Sequence, residues 1–238
     1  MKFEERDFAL NYQKQQREAG YPGSLLPFVM QRISRGSSVI DAGAGSGFFA
    51  MPMSKAGYRV TAVEPSVEMA GIMKTIHSEG GKGSLTIDIS TWEDWNGPVH
   101  DASICIHSFY PMIDKKLAVE KMLRFSPYRI IIIRNSPGMK SITGKVREEL
   151  GLGGTGDHNG LLVSILNELN VEFNITGITE QRDTVIVNPD DEADAIIVRT
   201  GLDPAMKSEI TEIIRKNSTY KAGKYIFNSV FCDNAYIF

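Results

Sequence analysis

The segment Val39-Ile40-Asp41-Ala42-Gly43-Ala44-Gly45-Ser46-Gly47 gathers residue types suited to gripping a small polar ligand. Three glycines at alternate positions let the chain turn tightly and let a ligand approach with no Cβ in the way. Peptide N–H groups at the start of a following helix favour a negative or electron-rich ligand group. A second carboxylate, Glu64, ends the run Arg59-Val60-Thr61-Ala62-Val63-Glu64. An acid there can accept hydrogen bonds from both hydroxyls of a ribose. The dinucleotide fingerprint G-x-G-x-x-G is not met, because Phe48 stands where its third glycine belongs.

Other residues could do acid–base work. His107 ends a strand candidate, where a base or a substrate contact could stand; its ring could equally pack under a cap. Tyr110 could position a substrate or pack on its neighbours. Asp157-His158-Asn159 follows a glycine-rich stretch, with His158 as a proton acceptor; the bland alternative is that Asp157 or Asn159 caps the helix starting near Leu161. Tyr12 and Tyr21 could touch a ligand from the N-terminal region, Trp92 could lie on a flat one, and Trp95 fits a core. Cys105 lies inside a strand and fits a core. Lys115, Lys116 and Lys121 read as a solvated helix face. No His, Cys, Asp and Glu set has metal-ligand spacing, so no metal is expected.

Alternating segments must position these groups. Strand candidates run over 38–42, 59–64, 84–90, 102–107 and 129–134. Helix candidates run over 48–56, 66–78, with Ser66 as cap, and 114–125. Ile130 to Ile133 suits a strand buried on both faces. Five alternations predict a doubly wound, mostly parallel sheet with helices on both faces. Beyond residue 136 the reading is a short helix around 145–150, a helix carrying Leu161, Leu162, Ile165, Leu166 and Leu169, a strand over 171–180, a helix through Met206, Ile210, Ile213 and Ile214, and a last strand within 225–238. Ser24 is the expected cap for a helix over 25–33. The whole reads as one domain: a helical cap at 1–36, a ligand-binding core at 37–135, and a lid plus the rest of the sheet at 136–238.

Composition narrows the function. The chain has 238 residues with 42% hydrophobic and 23% charged, enough for a full core without staples. Lys plus Arg is 26 against 29 Asp plus Glu, net −3, so no large positive field draws nucleic acid. The two cysteines lie far apart, which fits a reducing compartment. The charged start and the lack of a long apolar run point to a cytoplasmic protein with no membrane partner.

On VIDAGAGSG, on VTAVEPS with Glu64, and on the strand 101–107 followed by Ser108-Phe109-Tyr110, the chain resembles the class I S-adenosylmethionine-dependent methyltransferases. The resemblance covers 37–135 well. It implies a seven-stranded sheet with an antiparallel last strand and S-adenosylmethionine as cofactor. Asp41 and the backbone of Gly43, Ala44, Gly45, Ser46 and Gly47 would surround the methionine part. Glu64 would hold the ribose, Pro65 and Ser66 the adenine side, and Thr91 and Trp92 the adenine edge, with Asp88 the alternative. Ile106 and His107 would run past the sulfonium. No Asn-Pro-Pro-Tyr/Phe follows the fourth strand and no Pro-Cys dipeptide exists, which argues against base methylation. The expected function is methyl transfer to a small-molecule acceptor, with His107, Tyr110 and His158 as catalytic candidates. A cofactor-binding module without transfer is the rival, and an RNA or protein methyltransferase the more distant one. Gly151, Gly153, Gly154, Gly156 and Gly160 are read as a mobile lid.

Overall fold

The four consecutive isoleucines Ile130 to Ile133 are all completely buried, and they show how the molecule is layered. In a strand, successive side chains point to opposite faces. Ile130 and Ile132 enter one hydrophobic core, whereas Ile131 and Ile133 enter another. The same division separates Val39 from Ile40, and Ile104 from Cys105. A sheet apolar on both faces needs helices on both, and both layers are present. In this computed structural model the described residues are 5–80, 83–135, 139–152 and 156–238.

The chain runs α1 (Arg6–Glu18), α2 (Leu25–Met30), β1 (Ser38–Ala42), α3 (Ala50–Lys55), β2 (Arg59–Val63), α4 (Val67–Gly80), β3 (Ser84–Asp88), β4 (Ala102–Ile106), α5 (Lys115–Phe125), β5 (Tyr128–Arg134), α6 (Ile142–Glu149), α7 (His158–Glu168), β6 (Asn174–Ile186), α8 (Pro189–Thr200), α9 (Lys207–Asn217), β7 (Thr219–Lys221) and β8 (Lys224–Ile237). The strands form one sheet in the order β3-β2-β1-β4-β5-β8-β6, with β7 added against β8. β1 through β5 pair in parallel. At the far side Arg129 and Phe238 exchange backbone hydrogen bonds of 2.9 and 3.2 Å, and β7 pairs antiparallel with β8. The α/β architecture, the parallel sheet and the antiparallel last strands agree with the sequence reading. The order reverses between β1 and β4, which makes the C-terminal ends of these strands the place for a ligand.

Two compact units emerge: Met1–Ile133 with His158–Ile178 and Asn234–Phe238, and Arg134–Asp157 with Thr179–Asp233. In the first, α2, α3 and Met73 of α4 cover one sheet face, and α5, α7, Trp92 and Trp95 cover the other. The second has its own core, built from α6, α8 and α9 around Val146, Ile196, Ile210 and Ile214. The expected segment 136–238 is thus divided between the units.

Several local expectations need correction. Ser24 makes no side-chain cap, and α2 ends at Met30. The helix read over 48–56 begins only at Ala50, because 44–49 complete the glycine turn first. Of the two residues read as caps for α7, Asp157 directly precedes the helix, while Asn159 lies inside it, where its Oδ1 accepts from Tyr236 Oη at 2.8 Å and Asn234 Nδ2 at 3.1 Å. Gly160 lies within α7, and Gly153 and Gly154 of the expected lid lie outside the described residues. Among the described residues, no helix is long and apolar enough to cross a membrane.

Candidate functional site

The glycine turn is held by protein atoms. Gly43 and Ala44 donate their N–H groups to Val63 O at 2.8 and 3.1 Å. Gly45 N–H donates to Glu64 Oε2 at 2.7 Å, and Ser66 N–H to Glu64 Oε1 at 2.8 Å. The expected row of free N–H groups is therefore absent at 43–45, since the end of β2 takes them up. The three glycines also differ. A Cβ on Gly43 would lie 2.4 Å from Ser108 Cβ, and one on Gly47 would lie 2.7 Å from Met73 Cγ. These two are demanded by packing. A Cβ on Gly45 would meet nothing within 4 Å, and its φ is +57°. Gly45 faces open space.

That space is a cavity of about 510 Å3 in the first unit. Asp41, Gly43, Ala44, Gly45, Ser46, Glu64, Pro65, Ser66, Thr91, Trp92, Ile106 and His107 all line it. Gly47 does not; it serves the packing behind the turn. Phe48, Phe49, Met69, Met112, Ile113 and Leu117 also line it and supply its apolar surface. They were not read as site residues because nothing but the fold distinguishes them from core. Tyr12 and Tyr21 reach it from the N-terminal region.

The electrostatics are one-sided. Asp41, Glu64, Glu93, Asp94 and Asp114 line the cavity, while among the described residues no lysine or arginine does. Asp41 is only 3% exposed, and its Oδ2 has no hydrogen-bond partner among the described residues. Ser46 Oγ, equally buried, also lacks one. An orphaned buried carboxylate oxygen is costly. Burial, reinforced by the Glu64 charge and opposed by a backbone hydrogen bond from Ala50, pushes the Asp41 carboxyl up to about 7. A cationic ligand group would restore both its charge and its hydrogen bonding.

Asp88 Oδ2 accepts from Trp95 Nε1 at 2.8 Å and does not line the cavity, whereas Thr91 and Trp92 do. Trp92 stacks on Trp95 with centroids 5.5 Å apart and donates Nε1 to Ala118 O at 2.9 Å. Lys121 overturns the solvated-face reading. It is buried, lies near the Trp92 and Phe125 rings, and donates to the carbonyls of Glu93 and Trp95. Its spacing from Ala118 and Phe125 already put it on the buried side of α5.

His107 has a left-handed backbone, φ +55°, uncommon outside glycine. Its N–H donates to Ile132 O at 3.0 Å. Its ring lies between Tyr21, at 5.8 Å, and Tyr110, at 6.5 Å. Tyr21 meets Phe48 edge-on at 5.1 Å, and Tyr110 meets His158 edge-on at 5.1 Å. Tyr110 and His158 thus stand in one aromatic column with His107, behind the cavity lining. Burial pushes the Cys105 thiol up to about 12, which leaves it a core group.

Solved structures of the same architecture are numerous. A protein from Bacillus halodurans C-125, provisionally named a methyltransferase, superposes with TM-score 0.61 at 13% identity over 90% of this chain and 98% of its own. Magnesium protoporphyrin IX methyltransferase from Synechocystis PCC 6803, solved with S-adenosylhomocysteine, gives 0.51 at 16% over 89% and 80%. The fold is that of the class I methyltransferases. A precorrin 8w decarboxylase from Methanobacterium thermoautotrophicum also shares this fold, at TM-score 0.55 and 11% identity over 90% and 89%. The class I methyltransferase fold therefore leaves the reaction to be argued from the site. No protein-family model and no curated protein matches the chain by sequence.

Proposed function

We propose that this chain is an S-adenosylmethionine-dependent methyltransferase acting on a small-molecule acceptor. The observation that carries the reading is the buried, unpartnered Asp41 Oδ2 in a cavity lined by carboxylates and by no lysine or arginine among the described residues. A dinucleotide brings a pyrophosphate, which needs N–H groups or cations; the N–H groups of Gly43, Ala44 and Gly45 are already taken, and among the described residues no lysine or arginine lines the cavity. S-adenosylmethionine brings an ammonium and a sulfonium, and both suit an acidic cavity.

The residues divide the work. Asp41 holds the methionine ammonium. Glu64, whose two oxygens accept from Gly45 and Ser66, retains lone pairs for the ribose hydroxyls. Gly45 leaves room for the ligand. Pro65, Ser66, Thr91 and Trp92 flank the adenine, and Lys121 fixes their turn. Ile106 and His107 border the reacting end. When bound, the cofactor supplies an activated methyl group on a sulfonium with a neutral leaving group. The protein has to align the acceptor and exclude water. His107 receives the proton the acceptor gives up, and Tyr110 and His158 hold its ring in place.

Calorimetric titration with S-adenosylmethionine and with NAD tests this. Saturable binding of the first alone, followed by S-adenosylhomocysteine release with an acceptor mixture of small metabolites, is the expected result. Binding of NAD alone would overturn it.

A further inference from the structure

The charge of the cavity bears on the acceptor as well as on the cofactor. An attacking atom must stand about 3–3.5 Å from the carbon it attacks, so whatever field acts on the cofactor acts on the acceptor too. Here that field comes from the carboxylates of Asp41 and Glu64 inside, and Glu93, Asp94 and Asp114 further out, with no lysine or arginine in the lining among the described residues. The remaining walls include Tyr12, Tyr21, Phe48, Phe49, Trp92 and His107. Such a site disfavours a phenolate, thiolate or carboxylate nucleophile, because each carries negative charge into a negative, partly dehydrated space. It favours an uncharged nucleophile that becomes positive, since carboxylates and aromatic faces both stabilise a cation.

We infer that the acceptor atom is the neutral nitrogen of an amine whose surroundings carry no anionic group. The inference rests on the cofactor reading above and deepens it. In the step, the nitrogen lone pair forms a bond to the methyl carbon while the carbon–sulfur bond breaks, and that pair goes to sulfur. The positive charge passes from sulfur to nitrogen, so the cavity holds a cation throughout. An amine that arrives as an ammonium first gives its proton to water, since only the free base has a lone pair to attack; the new ammonium then loses its proton to His107 or, for a tertiary amine, keeps its charge and leaves as a quaternary product.

The test compares three adenosyl ligands on the full chain by calorimetry: S-adenosylmethionine, neutral-sulfur S-adenosylhomocysteine, and sinefungin, which carries a primary ammonium where the methyl group sits. The expected result is that both ligands with a cation at the methyl-transfer position bind at least ten-fold more tightly than S-adenosylhomocysteine, and that Asp41→Asn weakens all three, since each carries the amino-acid ammonium that Asp41 holds. Turnover is then read with phenethylamine, 2-phenylethanethiol and 3-phenylpropionate, which share one framework; methylation of the amine in preference to the intrinsically more reactive thiol supports the inference. If none of the three serves, the affinity ratio decides alone. Equal or tighter binding of S-adenosylhomocysteine, or turnover of the thiol or the acid and not the amine, overturns the amine acceptor while leaving the cofactor reading intact. Failure of all three ligands to bind removes both.

Discussion

Two carboxylates, one in each compact unit, are almost equally buried and differ in their surroundings. Asp233, 4% exposed, sits on β8 with Oδ2 3.2 Å from Arg134 Nη1, whose guanidinium lies over Phe231. Asp41, 3% exposed, sits on β1 beside a second carboxylate, and its Oδ2 has no partner among the described residues. The first charge is answered by the protein and serves the fold. The second is left for something else to answer. A fold that tolerates an unanswered buried charge loses stability there, and such places are where ligands bind.

Removing the matched charge should have the largest effect. Asp233→Ala leaves Arg134 half-buried without its carboxylate and should lower stability by about 2–4 kcal/mol, read in chemical denaturation. A negligible change would dissolve the contrast. Glu64→Ala removes the proposed ribose acceptor and the clamp on Gly45, and should weaken cofactor binding by about 1–3 kcal/mol by calorimetry; unchanged affinity takes Glu64 out of the site. Asp41→Asn should do the reverse of Asp233→Ala. Because the folded Asp41 pKa, about 7, lies above its ordinary 3.8, the folded state holds the proton longer. Wild-type stability therefore falls as pH rises between those values, and Asn abolishes that slope. At pH 8 the ligand-free variant should gain about 1–2 kcal/mol while losing cofactor affinity; lost stability at that pH would show that Asp41 is structural. The smallest effect belongs to the exposed Lys116–Glu168 pair: Lys116→Ala should leave the melting temperature unchanged within error.

Much of this contrast was legible from residue order. β1 matches the sequence reading at both ends, and β2 to β5 match within two residues, because short β-branched runs between glycine turns admit few alternatives. The cavity lining follows, since a strand end and a glycine turn fix where backbone and acid must meet. α8 was overlooked although its marks were present: Asn188 capping Asp190, Pro189 at the start, acids at 190–192 and Gly201 at φ +71°. The β7–β8 hairpin was also missed; its turn residues Ala222 and Gly223 both have positive φ. The Tyr21–His107–Tyr110–His158 column could not be read in advance, since its rings come from separate elements and meet only when the sheet is closed, whereas the burial of Lys121 was legible in its helical spacing and only its two carbonyl partners were not.

A structure of the protein with S-adenosylhomocysteine bound tests the central claim most directly. The account predicts the ligand's ammonium at hydrogen-bond distance, about 3 Å, from Asp41 Oδ2, and its ribose hydroxyls on Glu64. An adenosyl group bound elsewhere, or an Asp41 still unpartnered beneath it, would contradict the account.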